Sequence, residues 1–145
     1  IHDLAVRFSK CCSPVPGDEI VGFVTRGRGI TIHRTDCINV LNLPEIERSR
    51  LIDAEWQGVE EDNSAATYST EISIFANNRI GMFVDISKIF TEREIDIKAM
   101  SSLVDKQGKA TITMSFDIHG IEELNNLMAK LRQIDGVLDI ERTTG

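Results

Sequence analysis

The stretch ATITMSFDI, residues 110–118, sets Ala110, Ile112, Met114, Phe116 and Ile118 against Thr111, Thr113, Ser115 and Asp117. Successive side chains of a strand point to opposite faces, so this alternation predicts a strand with one apolar and one polar face. Just upstream, DKQG (residues 105–108) has the polar, glycine-ended composition of a hairpin turn. Before that turn Ile95, Ile97 and Ala99 alternate, and the partner strand runs on towards Val104. Downstream, Ile121, Leu124, Leu127, Met128, Leu131 and Ile134 recur at helical spacing. Glu122 and Glu123 open that helix, and Lys130 and Arg132 lie near its end, as the helix dipole favours. Asp135-Gly136 stops it, and residues 137–142 read as a final short strand.

Further out the pattern completes itself. Residues 68–76 alternate, with Ile72 and Ile74 on one face and Glu71 and Ser73 on the other. A polar break at Asn77-Asn78-Arg79 leads through Gly81 into a helical stripe of Met82, Phe83, Ile86, Ile89 and Phe90. The order β-α-β-β-α-β predicts a ferredoxin-like unit, two helices on one face of a four-stranded antiparallel sheet. An acidic, aperiodic run at residues 58–64 separates it from the rest. The expected division is a module over 1–58, a linker over 59–67 and the ferredoxin-like domain over 68–145, α+β in class. In the first module, strands are expected over 20–26 and 30–34, joined by the tight hairpin Gly27-Arg28-Gly29. Two helical turns over 36–43, capped by Thr35 or Asp36 and ended by Pro44, and a third strand over 50–56 complete it. A unit this short often needs a metal, a disulfide or a partner to be stable.

Composition narrows the functions. A chain of 145 residues with 41% apolar and 27% charged residues is globular in character. No apolar run approaches the ~20 residues that span a bilayer. The net charge of −7 argues against broad electrostatic binding to nucleic acid or anionic lipid. Residues 1–34 nonetheless carry Arg7, Lys10, Arg26, Arg28 and Arg34 against Asp3, Asp18 and Glu19, so any phosphate contact is expected in that third. The start at Ile-His-Asp-Leu reads as a piece cut from a longer protein.

All three cysteines, Cys11, Cys12 and Cys37, and the histidine His33 fall within one stretch of the first module. Three cysteines cannot all pair internally, which points to a reducing, cytoplasmic compartment. Zinc asks for four thiolate or imidazole ligands from two chain elements. Cys11-Cys12 is one pair, carried on the irregular backbone of Ser13-Pro14-Val15-Pro16-Gly17, and His33-x-x-x-Cys37 is the other. Against this stands the reading of cysteines as core fillers, since free cysteine is among the most buried residue types. A catalytic thiol needs a base and an oxyanion site, and His33 alone is available. The TRGRG sequence lacks the Gly-Lys-Ser/Thr of a phosphate loop and reads as a hairpin turn, whose Arg26 and Arg28, with Arg34 nearby, can anchor RNA phosphates. The loop Asn78-Arg79-Ile80-Gly81-Met82 reads on its residues as an asparagine-capped turn, with backbone N–H groups at a helix start. Phe75 and Phe116 are expected to be buried.

The stretch CCSPVPGDEIVGFVTRGRGITIHRTDC resembles the conserved-cysteine, or zinc-finger, module of long RelA/SpoT homologues, the stringent-response enzymes that make and degrade (p)ppGpp. The unit with NNRIGMFVDISKIF resembles the ACT domain that ends the same proteins. The resemblance implies a C-terminal regulatory fragment of a GTP pyrophosphokinase, without catalysis of its own. It implies Cys11, Cys12, His33 and Cys37 as the Cys/His set for Zn2+, and Arg26, Arg28 and Arg34 on the stretch that meets ribosomal RNA. Ribosome docking, help in sensing uncharged tRNA, and a cytoplasmic location follow from it. It also implies ACT pairing into a homodimer and an amino-acid ligand, branched-chain favoured, near Asn78, Arg79, Gly81 and Met82. Asn78 and Ile80 depart from the family's usual acidic residue and proline there. The competing reading is a stand-alone amino-acid-binding ACT protein whose cysteine module is purely structural.

Overall fold

The computed structural model describes residues 6–27, 29–56 and 66–143. In the first part, β1 (Val6–Phe8) is followed by β2 (Ile20–Thr25), β3 (Gly29–Arg34), the short helix α1 (Ile38–Leu41), a 3₁₀ helix (Glu45–Arg50) and β4 (Leu51–Asp53). The expected hairpin is there, with Ile20 opposite Arg34 and Thr25 opposite Gly29. Gly27 at its tip has φ +78°, a backbone that L side chains rarely adopt. Strand β1 had no signal in the sequence: its three residues are all exposed and it joins β3 in parallel. The helix is capped by Cys37 rather than by Thr35 or Asp36, and it spans the single turn Ile38–Leu41 in place of the two turns expected over 36–43. The strand expected over 50–56 is confined to Leu51–Asp53: the 3₁₀ helix takes Arg50, and pairing with β2 ends at Asp53.

The second part follows its expected order. β5 (Tyr68–Asn77), α2 (Met82–Glu92), β6 (Ile97–Val104), β7 (Lys109–Ile118), α3 (Ile121–Arg132) and β8 (Val137–Arg142) form a sheet in the order β6-β7-β5-β8. One face of β5 and β7, with Ile72, Ile74, Ile112, Met114 and Phe116, is fully buried against Ile86 and Phe90 of α2 and Leu124, Leu127 and Leu131 of α3. Phe90 and Phe116 meet edge to face at 5.0 Å. Each such side chain contributes about 1.5–3 kcal/mol by leaving water. Phe116 is buried as expected; Phe75 is only half-buried, because alternation puts it on the opposite face from Ile74.

The first part has a far smaller core of Cys12, Cys37 and Val40. It leans on the second instead. Val15 is fully buried in the core of the ferredoxin-like domain. The Ile121 N–H donates to the Pro16 carbonyl at 2.8 Å, and a Cβ on Gly17 would overlap Ile121 Cγ2. Arg142 at the end of β8 donates to both carboxylate oxygens of Asp18, at 2.7 and 2.9 Å, with the two side chains only 10% and 8% exposed. Phe8, Trp56 and Tyr68 pack with ring centroids 5.4–5.6 Å apart. The linker expected over 59–67 lies outside the described residues but for 66 and 67.

Candidate metal centre and its surroundings

Cys11 and Cys12 sit on the loop after β1, where Ser9 shapes the chain: its hydroxyl accepts from the Cys11 N–H at 3.2 Å and its carbonyl from the Ser13 N–H at 3.0 Å. Ser13 takes a positive φ of 46°, which turns the chain sharply after two adjacent cysteines. Strand β3 delivers His33, and the turn Arg34-Thr35-Asp36 brings Cys37 back, its N–H donating to the Arg34 carbonyl at 3.1 Å. The Cys11 sulfur lies 3.4 Å from that of Cys37 and 3.5 Å from His33 Nδ1, and the Cys12 sulfur lies 3.8 Å from the same nitrogen. All four ligand atoms fall within 4.8 Å of one another.

These spacings fit a zinc ion. Bonds of about 2.3 Å to sulfur and 2.0–2.1 Å to nitrogen, set tetrahedrally, put neighbouring ligand atoms ~3.5–3.8 Å apart. Proton affinities in the set agree. Burial pushes the Cys12 thiol up to about 12 from its ordinary 9.0. Burial, with a hydrogen bond to Cys11, also raises Cys37. For Cys11 burial pulls upward, but hydrogen bonds from Ser9, Asn39 and Cys37 outweigh it and lower the thiol below 9.0. Burial lowers His33, which keeps its imidazole neutral and able to ligate. Cys12 and Cys37 thus hold their protons while Cys11 loses its own more readily, and a divalent cation bound here would displace the protons that remain.

Arg34 is not where the sequence placed it. The expectation that it faces RNA is corrected by its burial: the residue is 7% exposed. Its guanidinium donates to the Cys12 carbonyl at 3.3 Å, the Thr143 carbonyl at 3.2 Å and the Asp36 carboxylate at 2.6 Å, and its N–H donates to the Cys12 sulfur at 3.3 Å. One side chain thus ties the cysteine cluster to the end of the ACT-like sheet. Arg26 stands on the hairpin with its side chain 82% exposed, 3.7 Å from Glu47. Arg28 lies outside the described residues. Neither Asp18 nor Arg142 carried a sequence signal, because their contact joins positions 124 residues apart.

Asn78, Arg79 and Gly81 come together in the turn from β5 to α2. The Asn78 N–H donates to the Gly108 carbonyl at 2.8 Å. Arg79 braces the turn, donating to the Asp135 carbonyl at 2.8 Å and the Asp85 carboxylate at 2.7 Å. Gly81 precedes α2 with φ +86°, and Ile80 is fully exposed. The Met82 side chain points away into the core, 1% exposed.

Two families match the chain in tandem: the RelA/SpoT RIS domain over residues 1–57 and the ACT domain over residues 64–142. The chain is 36% identical over 146 residues to a GTP pyrophosphokinase of Escherichia coli (strain K12), an alignment covering 100% of this chain and 19% of that protein. To the GTP pyrophosphokinase of Haemophilus influenzae it is 35% identical, covering 98% and 19%. To that of Streptomyces coelicolor it is 30% identical, covering 99% and 16%. The chain therefore spans less than a fifth of the length of these relatives. The crystal structure of the ACT domain from GTP pyrophosphokinase of Chlorobium tepidum superimposes with a TM-score of 0.48 at 25% identity, covering 53% of this chain and 99% of that one.

Proposed function

The chain belongs to the ACT domain family through residues 64–142, behind a RelA/SpoT RIS domain at 1–57, and corresponds to the C-terminal regulatory region of RelA/SpoT-type GTP pyrophosphokinases; from that premise we propose a non-catalytic regulatory unit for a stringent-response (p)ppGpp synthetase/hydrolase, one that docks on the ribosome in the cytoplasm. The observation that carries the reading is the cluster of Cys11, Cys12, His33 and Cys37, ready for a metal and clasped to the ACT domain through Arg34. Cys11, Cys12, His33 and Cys37 would hold a zinc ion, which when bound would crosslink the two loops of a module with a small apolar core. The chain's own residues do the rest. Ser9 and Arg34 orient Cys11 and Cys12, and β3 holds His33. The module presents Arg26 on its hairpin, and Arg26 with Arg28 two residues on in the sequence serves as an anchor for ribosomal RNA phosphates, next to tRNA.

The ACT domain supplies the second input. Backbone groups and Arg79 in the turn of Asn78, Arg79, Gly81 and Met82 receive an amino acid, branched-chain favoured, and paired ACT domains form a homodimer that passes the state on to the catalytic half. Co-sedimentation of the chain with ribosomes tests the docking step. Arg26→Glu with Arg28→Glu is expected to weaken association by about tenfold or more and to flatten its salt dependence. Unchanged association would favour a stand-alone amino-acid-binding ACT protein with a purely structural cysteine module.

A further inference from the structure

Strand β5 is paired unequally on its two sides. β7 lines its whole length, from Tyr68 opposite Ile118 to Asn77 opposite Lys109. β8 reaches only from Ala76 to Ile72, with one more bond from the Thr143 N–H to the Glu71 carbonyl. Along an antiparallel strand the backbone groups of alternate residues point to the same side. The Glu71 carbonyl faces β8, so the N–H and C=O of Ser69 face that side too, beyond the point where β8 ends. Among the described residues no backbone group bonds them there. Phe8, Lys10 and Ser13 of the cysteine module stand across the gap, and a half-enclosed cavity of about 440 Å³ lies between.

That volume falls within the ~300–1,000 Å³ of small-molecule sites, which favour domain junctions. The lining is chemically selective. Among the described residues it offers one ammonium group, Lys10, and one carboxylate, Glu71, amid the hydroxyls of Ser13, Ser69 and Ser115. One Glu71 oxygen accepts from the Thr143 hydroxyl at 2.9 Å, and among the described residues no group donates to the second. Thr70 also lines the cavity, and its Oγ1 is buried with no hydrogen-bond partner among the described residues. Phe8 and Tyr68, edge to face at 5.6 Å, supply an apolar wall. A simple anion would meet Glu71 and a simple cation would meet Lys10. A ligand with both charges on neighbouring atoms meets neither conflict.

The geometry points to a binding site for a free α-amino acid at the junction of the two modules, with its carboxylate at Lys10 and the Ser69 N–H, its ammonium at Glu71 and the Ser69 carbonyl, and its side chain against Phe8 and Tyr68. This site is separate from the turn at Asn78–Met82. The two lie at opposite ends of a strand of 10 residues, about 30 Å apart. Its walls come from both modules, so occupancy tightens the junction by binding only the docked arrangement.

Amide NMR spectra of the 145-residue chain, recorded with each of the common L-amino acids at millimolar concentration, test the site. At least one amino acid is expected to shift the amides of Lys10, Ser69, Thr70 and Ser115. Lys10→Ala, at an exposed position that the fold does not need, and Glu71→Gln should each weaken that binding by about tenfold or more. The N-acetyl amide of the same amino acid, which lacks both charges, should not bind, and Arg79→Ala should leave the affinity unchanged. The proposal is overturned if no amino acid moves those amides, or if Lys10→Ala and Glu71→Gln leave affinity intact. Shifts confined to residues 78–82 and abolished by Arg79→Ala would also overturn it, while supporting a ligand at the turn.

Discussion

Replacing Asp18 by Asn removes one charge from the contact that joins the two modules and leaves its shape in place. The carboxylate accepts from Arg142 at 2.7 and 2.9 Å and, through Oδ2, from the Val15 N–H at 2.8 Å. With side chains 10% and 8% exposed, water cannot replace what the guanidinium loses. Breaking a buried pair on one side costs about 3–5 kcal/mol, because the remaining charge stays buried and uncompensated. At a typical urea slope this shifts the unfolding midpoint by about 2 M. The exposed pair Lys98–Asp96 provides the internal control: Asp96→Asn should stay within about 0.5 kcal/mol. Adding Arg142→Met to Asp18→Asn should recover part of the loss, since it removes the orphaned cation. Hydrogen exchange should locate the damage at residues 15–19 and the end of β8, with α2 and β7 unaffected. A loss below about 1 kcal/mol for Asp18→Asn, or one that Arg142→Met deepens, would refute the reasoning that this bridge holds the modules together.

Other perturbations have equally definite outcomes. Gly17→Ala forces a Cβ into Ile121 on a backbone with φ +103°, and should lower stability by about 2–4 kcal/mol in thermal or urea unfolding, overpacking and left-handed strain acting together. Arg34→Lys keeps the charge but cannot reach Cys12, Asp36 and Thr143 at once; it should loosen both the cysteine loop and the end of β8 in hydrogen exchange, and unchanged protection at Thr143 would contradict the clasp. In chelator-treated protein Cys12 binds its proton more tightly folded (about 12) than unfolded (9.0), so its contribution to stability is complete below pH 9 and fades as pH rises beyond it. His33, lowered from 6.5, acts at the other end: the unfolded chain takes the proton more readily, so stability falls as pH drops below 6.5. Urea midpoints against pH check both signs, and zinc should abolish the alkaline loss because its thiolates are already deprotonated.

What could be read in the sequence was what is local. Alternation over Ala110 to Ile118 and the stripe from Ile121 to Ile134 report the period of the backbone, and β7 and α3 formed where they placed a strand and a helix. β1 escaped notice because three exposed residues carry no alternation and their partner is a parallel strand more than twenty residues on. Cys37 opens a helix without the hydroxyl or carboxylate side chain that usually marks a cap. That Cys11, Cys12, His33 and Cys37 come together was legible from residue type and from the turn between His33 and Cys37. Arg34 was misplaced because an arginine at a strand end looks solvent-facing until its partners, Cys12, Asp36 and Thr143, are folded around it. No periodicity links Asp18 to Arg142, so the junction, and the cavity beside it, came only with the tertiary structure.

The most direct test of the account is the zinc content of the chain purified without chelator, measured beside Cys37→Ser. The account predicts about one zinc per chain in the unmodified protein. In Cys37→Ser it predicts loss of the metal together with protection of β2 and β3, while β5 and β7 stay protected. A folded, metal-free protein whose first module is as well protected as the second would contradict it, and would make Cys11, Cys12, His33 and Cys37 packing residues of a small core.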